Sequence, residues 1–104
     1  MKVLHDYRGL AIRLTDERQA HIHEHPEMLN LDSAIEQTLA HPQFVVQSAG
    51  AEQASLYYRF YLSTMVGDKY LCVVVKVLPA DAFKLTAYLT DKVKEGERLW
   101  PTSE

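Results

Sequence analysis

Apolar and polar positions change their period once along this chain. Up to about His41 the spacing is helical: Leu31, Ile35 and Leu39 stand four apart in LDSAIEQTLAHP, and Ile22 is the one large apolar side chain between Thr15 and His25. From Gln43 the period is two. QFVVQSA, SLYYRFYLS, KYLCVVVKVL and FKLTAYLTD are rich in β-branched and aromatic residues and are separated by Gly, Asp, Glu or Pro. The pattern predicts helices over about 15–25 and 31–41, then four strands. GLAIRL, residues 9–14, alternates loosely and predicts a short extra N-terminal strand or an extended lead-in. Thr15 is placed to cap the first helix, because its hydroxyl can accept a free amide while Asp16 and Glu17 complement the positive helix end. Pro26 stops that helix. Ser33 and Glu36 have capping-box spacing in the second helix, which Pro42 ends. Helices followed by closely connected strands predict an α+β fold: two N-terminal helices packed on one face of a four-stranded antiparallel meander sheet.

Successive strand residues point to opposite sides, so each strand divides into two sets. Leu56, Tyr58, Phe60 and Leu62, with Val73, Val75 and Val77 and with Phe83, Leu85, Ala87 and Leu89, are expected to form the core face. The other set is Tyr57, Arg59 and Tyr61, then Cys72, Val74 and Lys76, then Lys84, Thr86, Tyr88 and Thr90. It combines cations, phenols and hydroxyls. Alternation alone explains it as the solvated side of a half-buried sheet. Its tyrosines beside Arg and Lys also suit a platform for single-stranded nucleic acid, where rings stack bases and cations meet phosphate. A protein interface is enriched in the same residues.

A length of 104 residues with 47% hydrophobic content suits one domain, 1–104, around a single core. The net charge of -3 argues against a general polyanion-binding surface. Its distribution is uneven: residues 1–54 carry four Lys/Arg against eight Asp/Glu, and residues 55–100 carry seven against five, so an anion-binding surface belongs in the second half. Cys72 is the single cysteine, which leaves no internal disulfide and no thiolate metal cluster. A reducing, cytoplasmic setting is expected. MKVLHDYRGL lacks the pattern of a signal peptide, no apolar run is long enough to span a bilayer, and PTSE reads as a loose tail.

HIHEHPE, residues 21–27, is the densest cluster of titratable groups. At 100° per residue His21 and His25 share one side of the first helix, flanking Ile22, while His23 turns away. An i, i+4 pair can hold zinc only with further ligands, and neither HExxH nor a cysteine set is present, so no metal is expected. The histidines suit a helix C-terminus, where partial positive charge is favourable, or acid-base work near neutral pH. His5 and His41 stand outside this arrangement and are read as surface residues.

Taken together, TDERQAHIHEHPEM, IEQTLAHPQFV, YYRFY, CVVVKV, LTAYLTDK and GERLW resemble a group of small phage-associated or toxin-like domains of the barnase, EndoU, colicin and RelE-like RNase fold. The likeness runs from about Leu10 to Trp100, and HI, HPE and TAY are its most specific parts. The resemblance implies a cofactor-free, metal-independent endoribonuclease in which the RNA 2'-hydroxyl attacks phosphorus to give a 2',3'-cyclic phosphate. On that reading His21 or His25 supplies the base or the acid, Lys76 and Arg59 neutralise the phosphate, Thr86 donates to a non-bridging oxygen, and Tyr57 and Tyr88 stack or orient the base. Glu27, just past the helix end, either orients a histidine or is simply solvent-exposed. The expected partner is RNA. The competing class is a non-catalytic module whose Tyr57, Arg59, Tyr61 and Tyr88 surface binds RNA, another protein or a second copy of the chain. A small metal-dependent hydrolase is the third.

Overall fold

A computed structural model of the chain describes residues 2–28, 31–50 and 53–101, the Leu85 side chain excepted. The chain opens with an antiparallel hairpin of β1 (Lys2–His5) and β2 (Ala11–Leu14), whose turn is closed by Gly9 at φ +84. The helical layer follows as α1 (Asp16–His23), a 3₁₀ turn (Pro26–Met28) and α2 (Asp32–Ala40). Among the described residues five further strands follow: β3 (Phe44–Ser48), β4 (Ala54–Thr64), β5 (Gly67–Leu78), β6 (Asp81–Thr90) and β7 (Gly96–Trp100).

Among the described residues, these seven strands join one sheet in the order β1-β2-β6-β5-β4-β3-β7. The expected four-stranded meander, β3 to β6, is therefore only its centre. β2 lies parallel to β6 through Arg13 and Phe83, and β7 pairs antiparallel with β3 on the far side. The helices are not N-terminal; they are inserted between β2 and β3. The α+β class stands, and the four-stranded architecture is overturned by a seven-stranded mixed sheet. β1 and β7 have only four and five residues. In segments that short, alternation carries little signal, and it is the ladder offered by β2 or β3 that makes them strands.

The helix boundaries follow local chemistry at one helix and depart from it at the other. Thr15 caps α1 as expected, its Oγ1 accepting from Arg18 N at 3.2 Å. Pro26 opens the 3₁₀ turn rather than ending the helix directly; α1 stops at His23. α2 does not use the Ser33–Glu36 box. It begins two residues earlier, with Leu31 rather than Ser33 as N-cap, and Leu31 offers no side-chain hydrogen bond.

Ile22 and Met28, with Ile35 and Leu39, pack on one face of the sheet against Leu4, Ile12, Val45, Tyr57, Leu71, Val73, Val75, Ala82 and Ala87. The opposite face is not simply solvated. Val46, Leu56, Tyr58 and Cys72 are buried there, beneath the 91–95 segment that leads from β6 to β7 and contributes Val93. Lys94 N donates to the Tyr58 hydroxyl at 3.1 Å.

Two strands correct the expected division of faces. In β4, Tyr57 pairs with Val73 and Arg59 with Leu71, so Tyr57, Arg59 and Tyr61 share the helix-covered face while Leu56, Tyr58 and Phe60 take the other. Both sets of β4 carry aromatic rings, so alternation marks two faces without saying which one the helices cover. In β6, Val74 pairs with Thr86 but Val75 with Lys84, and the extra residue of this bulge is Leu85. The bulge turns Lys84 to the helix side and leaves Thr86 and Tyr88 on the opposite one. Leu62, expected in the core, is exposed near the β4–β5 hairpin tip with Met65 and Val66. The side chain of Leu85, also expected in the core, lies outside the described residues.

Candidate functional site

The seven residues expected to form an RNase site fall in separate places. Lys76, Thr86 and Tyr88 occupy the sheet face turned away from the helices, as the pairing of Thr86 with Val74 and of Tyr88 with Cys72 requires. His21 and His25 stand at the end of α1, on the opposite side of the sheet, 60% and 59% exposed. Their rings lie 6.4 Å apart and nearly perpendicular. Each has its own carboxylate, Glu24 at 3.4 Å from His21 Nδ1 and Glu27 at 3.8 Å from His25 Nδ1. The sheet thus separates the imidazoles from Lys76 and Thr86, which removes the convergence on one phosphate that in-line cleavage by these groups requires.

The two tyrosines expected to meet a base have other work. Tyr88 has a buried hydroxyl without a hydrogen-bond partner, close to the Cys72 thiol and the Tyr58 hydroxyl. Burial raises the pKa of all three groups, that of Tyr58 to about 12. They are uncharged at neutral pH and act as packing. Tyr57 is fully buried and belongs to a different network.

That network is centred on Asp6, a buried carboxylate in the β1–β2 turn. Its Oδ1 accepts the backbone amides of Arg8 and Leu10, both at 2.9 Å. Its Oδ2 accepts Arg8 Nε at 3.2 Å, Arg8 Nη2 at 3.1 Å and the Tyr57 hydroxyl at 2.7 Å. The charge of Asp6 is thereby satisfied from its own turn and from the sheet. Burial, then the bond to Asp6, raises the Tyr57 phenol well above its ordinary pKa, so it remains a donor. The sequence does carry a trace of this turn: DYRG places Asp at the first and Gly at the fourth position of a β-turn, where each is favoured.

With the turn locked, Tyr7 and Arg8 are held at the molecular surface. The Tyr7 ring meets Trp100 of β7 at a centroid distance of 5.0 Å with planes 34° apart, and Arg8 Cζ lies 5.4 Å from the Tyr7 centroid. Between this pair and the C-terminal end of α2 is an open cleft of about 400 Å³ lined by Tyr7, Ala40, His41, Pro42, Arg59 and Trp100. Trp100 remains 39% exposed. Arg59 is positioned by one bond, from Nη1 to the His41 carbonyl at 2.8 Å. A guanidinium has five donors in a planar fork, so this bond fixes its orientation and leaves donors for an incoming anion.

Arg59 is thus the one residue of the expected site that lies in a cleft suited to its assigned role, and Tyr57 supports that cleft from beneath. Tyr7, His41 and Trp100 were not among the expected site residues. They come from three distant segments, and a lone aromatic or histidine near a chain end has no periodicity to mark it. A second depression, beside His21, is lined by Glu17, Arg18, Ala20 and Glu24, and its two carboxylates oppose phosphate binding. Among the described residues, no group of three or more His, Cys, Asp or Glu is arranged to hold a metal ion, and no helix is long and apolar enough to cross a membrane.

The chain is therefore an α+β domain with a seven-stranded mixed sheet and an aromatic, cation-bearing cleft. No protein family, curated protein or solved structure matches it.

Proposed function

We propose that this chain binds single-stranded RNA at the Tyr7–Trp100–Arg59 cleft. The observation that carries the reading is an exposed indole, backed by a phenol, beside an oriented guanidinium with donors to spare. A base can stack on Trp100 while Arg59 meets the adjacent phosphate. Single strands are the fitting substrate because their bases are free to splay onto such a ring. With a net charge of -3 and one or two cations at the cleft, binding is local and weak rather than a broad polyanion contact.

A cleaving role remains the second reading, favoured by one observation: His41 lines the cleft together with Arg59. It would place proton transfer at His41, in a site different from the His21, His25, Lys76 and Thr86 set.

Trp100 is the single tryptophan, so its fluorescence reports stacking directly. Titration of a short oligouridine at low salt is expected to quench it. Arg59→Ala should weaken binding about tenfold and reduce the salt slope by roughly 0.7, the contribution of one phosphate on a single strand. Absence of quenching up to millimolar RNA, or binding indifferent to both Arg59 and salt, sinks the proposal. The same mixtures, held with chelator and assayed for 2',3'-cyclic phosphate ends, test cleavage. Ends formed by wild type and lost in His41→Ala would establish the second reading, and their absence would leave a binding module.

A further inference from the structure

β7 is the last strand of the sheet, and its register with β3 slips once. Trp100 stands opposite Val45 but Arg98 stands opposite Val46, with Leu99 as the extra residue between them. Val45 belongs to the core beneath the helices and Val46 to the cluster on the other face. The bulge therefore sends Trp100 and Arg98 to opposite sides of the sheet, where regular alternation would keep them together. Trp100 turns to Tyr7 and the cleft. Arg98 turns over the Phe44 ring, its Cζ 4.8 Å from the centroid.

Beyond Arg98, that second face carries a row of rings across three neighbouring strands. Tyr70 of β5 meets Phe44 of β3 at a centroid distance of 6.4 Å and Phe60 of β4 at 5.0 Å, both edge to face. Phe60 is exposed, and Phe44 and Tyr70 are partly so. Lys94 stands beside the row with Nζ 5.7 Å from the Tyr88 centroid. The cations Lys2, Arg8, Arg13 and Lys69 each hold a carboxylate. Lys76, Lys94 and Arg98, all on this face, hold none among the described residues. The acidic excess lies elsewhere: residues 16–40, which include both helices, carry six Asp/Glu against one Lys/Arg. A net charge of -3 thus conceals a division into an acidic helical side and a sheet face with uncompensated cations among exposed rings.

We propose that single-stranded RNA seated in the cleft crosses the outer edge of β7 between Trp100 and Arg98 and continues over Phe44, Phe60 and Tyr70, with Arg98 and Lys94 on its phosphates. The inference rests on the cleft reading and extends it from one stacked base to a track of several nucleotides. From β7 to β5 the track covers three strand spacings, about 14 Å. Rings supply stacking without choosing a base, and cations follow the backbone. A second copy adding its own β7 to the edge is the competing occupant, and the sequence disfavours it. A two-fold pairing centred on Glu97 or Arg98 sets like charges opposite one another, and one centred on Leu99 brings in Pro101, which has no amide to donate.

The test uses the full chain and a fluorescein-labelled six-residue oligouridine read by anisotropy, with unlabelled two- and six-residue oligouridines as competitors and Trp100 emission followed in parallel. The six-mer should bind at least tenfold tighter than the dimer. Its affinity should fall with salt at a slope near -2, for three phosphates at Arg59, Arg98 and Lys94, against about -0.7 for the dimer's single phosphate. Arg98→Ala should weaken the six-mer about fivefold and reduce its slope by roughly 0.7, and Phe60→Ala should weaken it about tenfold. Both changes are at exposed side chains, both variants should keep the wild-type circular dichroism, and neither should alter dimer binding. Equal affinities and slopes for the two lengths, or a six-mer indifferent to Arg98 and Phe60, overturn the track and leave the cleft reading standing. Six-mer binding that needs Arg98 but neither quenches Trp100 nor needs Arg59 sinks the cleft reading and keeps the strand on the sheet face alone. Self-association in sedimentation that Arg98→Ala abolishes, with RNA binding unchanged, assigns the surface to a second copy and overturns the proposal.

Discussion

The Tyr57 hydroxyl donates to the buried Asp6 carboxylate at 2.7 Å, across 51 positions of sequence. This bond ties the β1–β2 turn to the centre of the sheet and so fixes the ring of Tyr7 against Trp100. Asp6 has five donors, and four of them come from within its own turn, from Arg8 and Leu10. Tyr57 supplies the single long-range one.

Tyr57→Phe should therefore lower stability by about 1.5–3 kcal/mol, the range for a hydrogen bond to a charged group. The turn itself should persist, because Arg8 and the two amides still hold the carboxylate. Urea unfolding will show this as a lower midpoint with an unchanged slope. A midpoint equal to wild type would mean that the phenol and Asp6 do not depend on one another.

Stability should pass through a maximum between about pH 9 and 10. Lys84 has a folded pKa of about 8, below its unfolded value near 10.4, so in that window the unfolded chain binds a proton that the folded chain does not. Stability then rises with pH, by about 3 kcal/mol if the whole shift is expressed. Tyr57, Tyr58 and Tyr88 act oppositely. Their folded pKa values lie above the unfolded 10, so their contribution is intact below pH 10 and is lost as pH rises further. Lys84→Met should remove the rising limb, keep the falling one, and unfold at higher denaturant than wild type at pH 7. Guanidinium titrations at several pH values provide the comparison.

Gly96 is where β7 crosses close to β3. A Cβ there would stand 2.3 Å from the Gln47 carbonyl oxygen and 2.8 Å from Val46 Cγ1, and backbone cannot yield as a flexible side chain can. Gly96→Ala should cost on the order of 2 kcal/mol or more by forcing the strands apart. Because Trp100 ends β7, its emission should shift to longer wavelength as the indole loses Tyr7. Emission identical to wild type would show that the edge strand tolerates the added carbon.

Ser63 holds φ +56 at the irregularity near the end of β4, between Tyr61 and Thr64, where its amide donates to Asp68 Oδ1 at 2.9 Å. A left-handed conformation is strained for serine and free of strain for glycine. Ser63→Gly should stabilise the chain by about 0.5–1 kcal/mol, since the hydrogen bond belongs to the backbone and survives. Thermal unfolding checks this, and a lower midpoint would contradict it.

What could be read from the chain alone is what neighbouring residues decide among themselves. Thr15 followed by Asp16 and Glu17 marks the start of α1 because a cap is completed within three residues. The four central strands declare themselves because runs rich in β-branched and aromatic residues suit no other element as well. Arg59 could be singled out as a candidate cation for an anion, although its neighbours in the cleft could not be named. Long-range register settled the rest. β1 and β7 become strands only because β2 and β3 present open ladders, and the face of β4 covered by helices follows from the pairing of Tyr57 with Val73. One extra residue in β6 moves Lys84 from the side of Thr86 to the side of Asp32, and a period of two cannot reveal a bulge from within the strand that carries it. The cleft gathers Tyr7, His41, Arg59 and Trp100 from four segments, so it exists only once the sheet is assembled. Local hydrogen bonds and periodicity are encoded over a few residues, whereas side-chain facing and convergence depend on pairings tens of residues apart, and those are chosen by the burial of the whole chain.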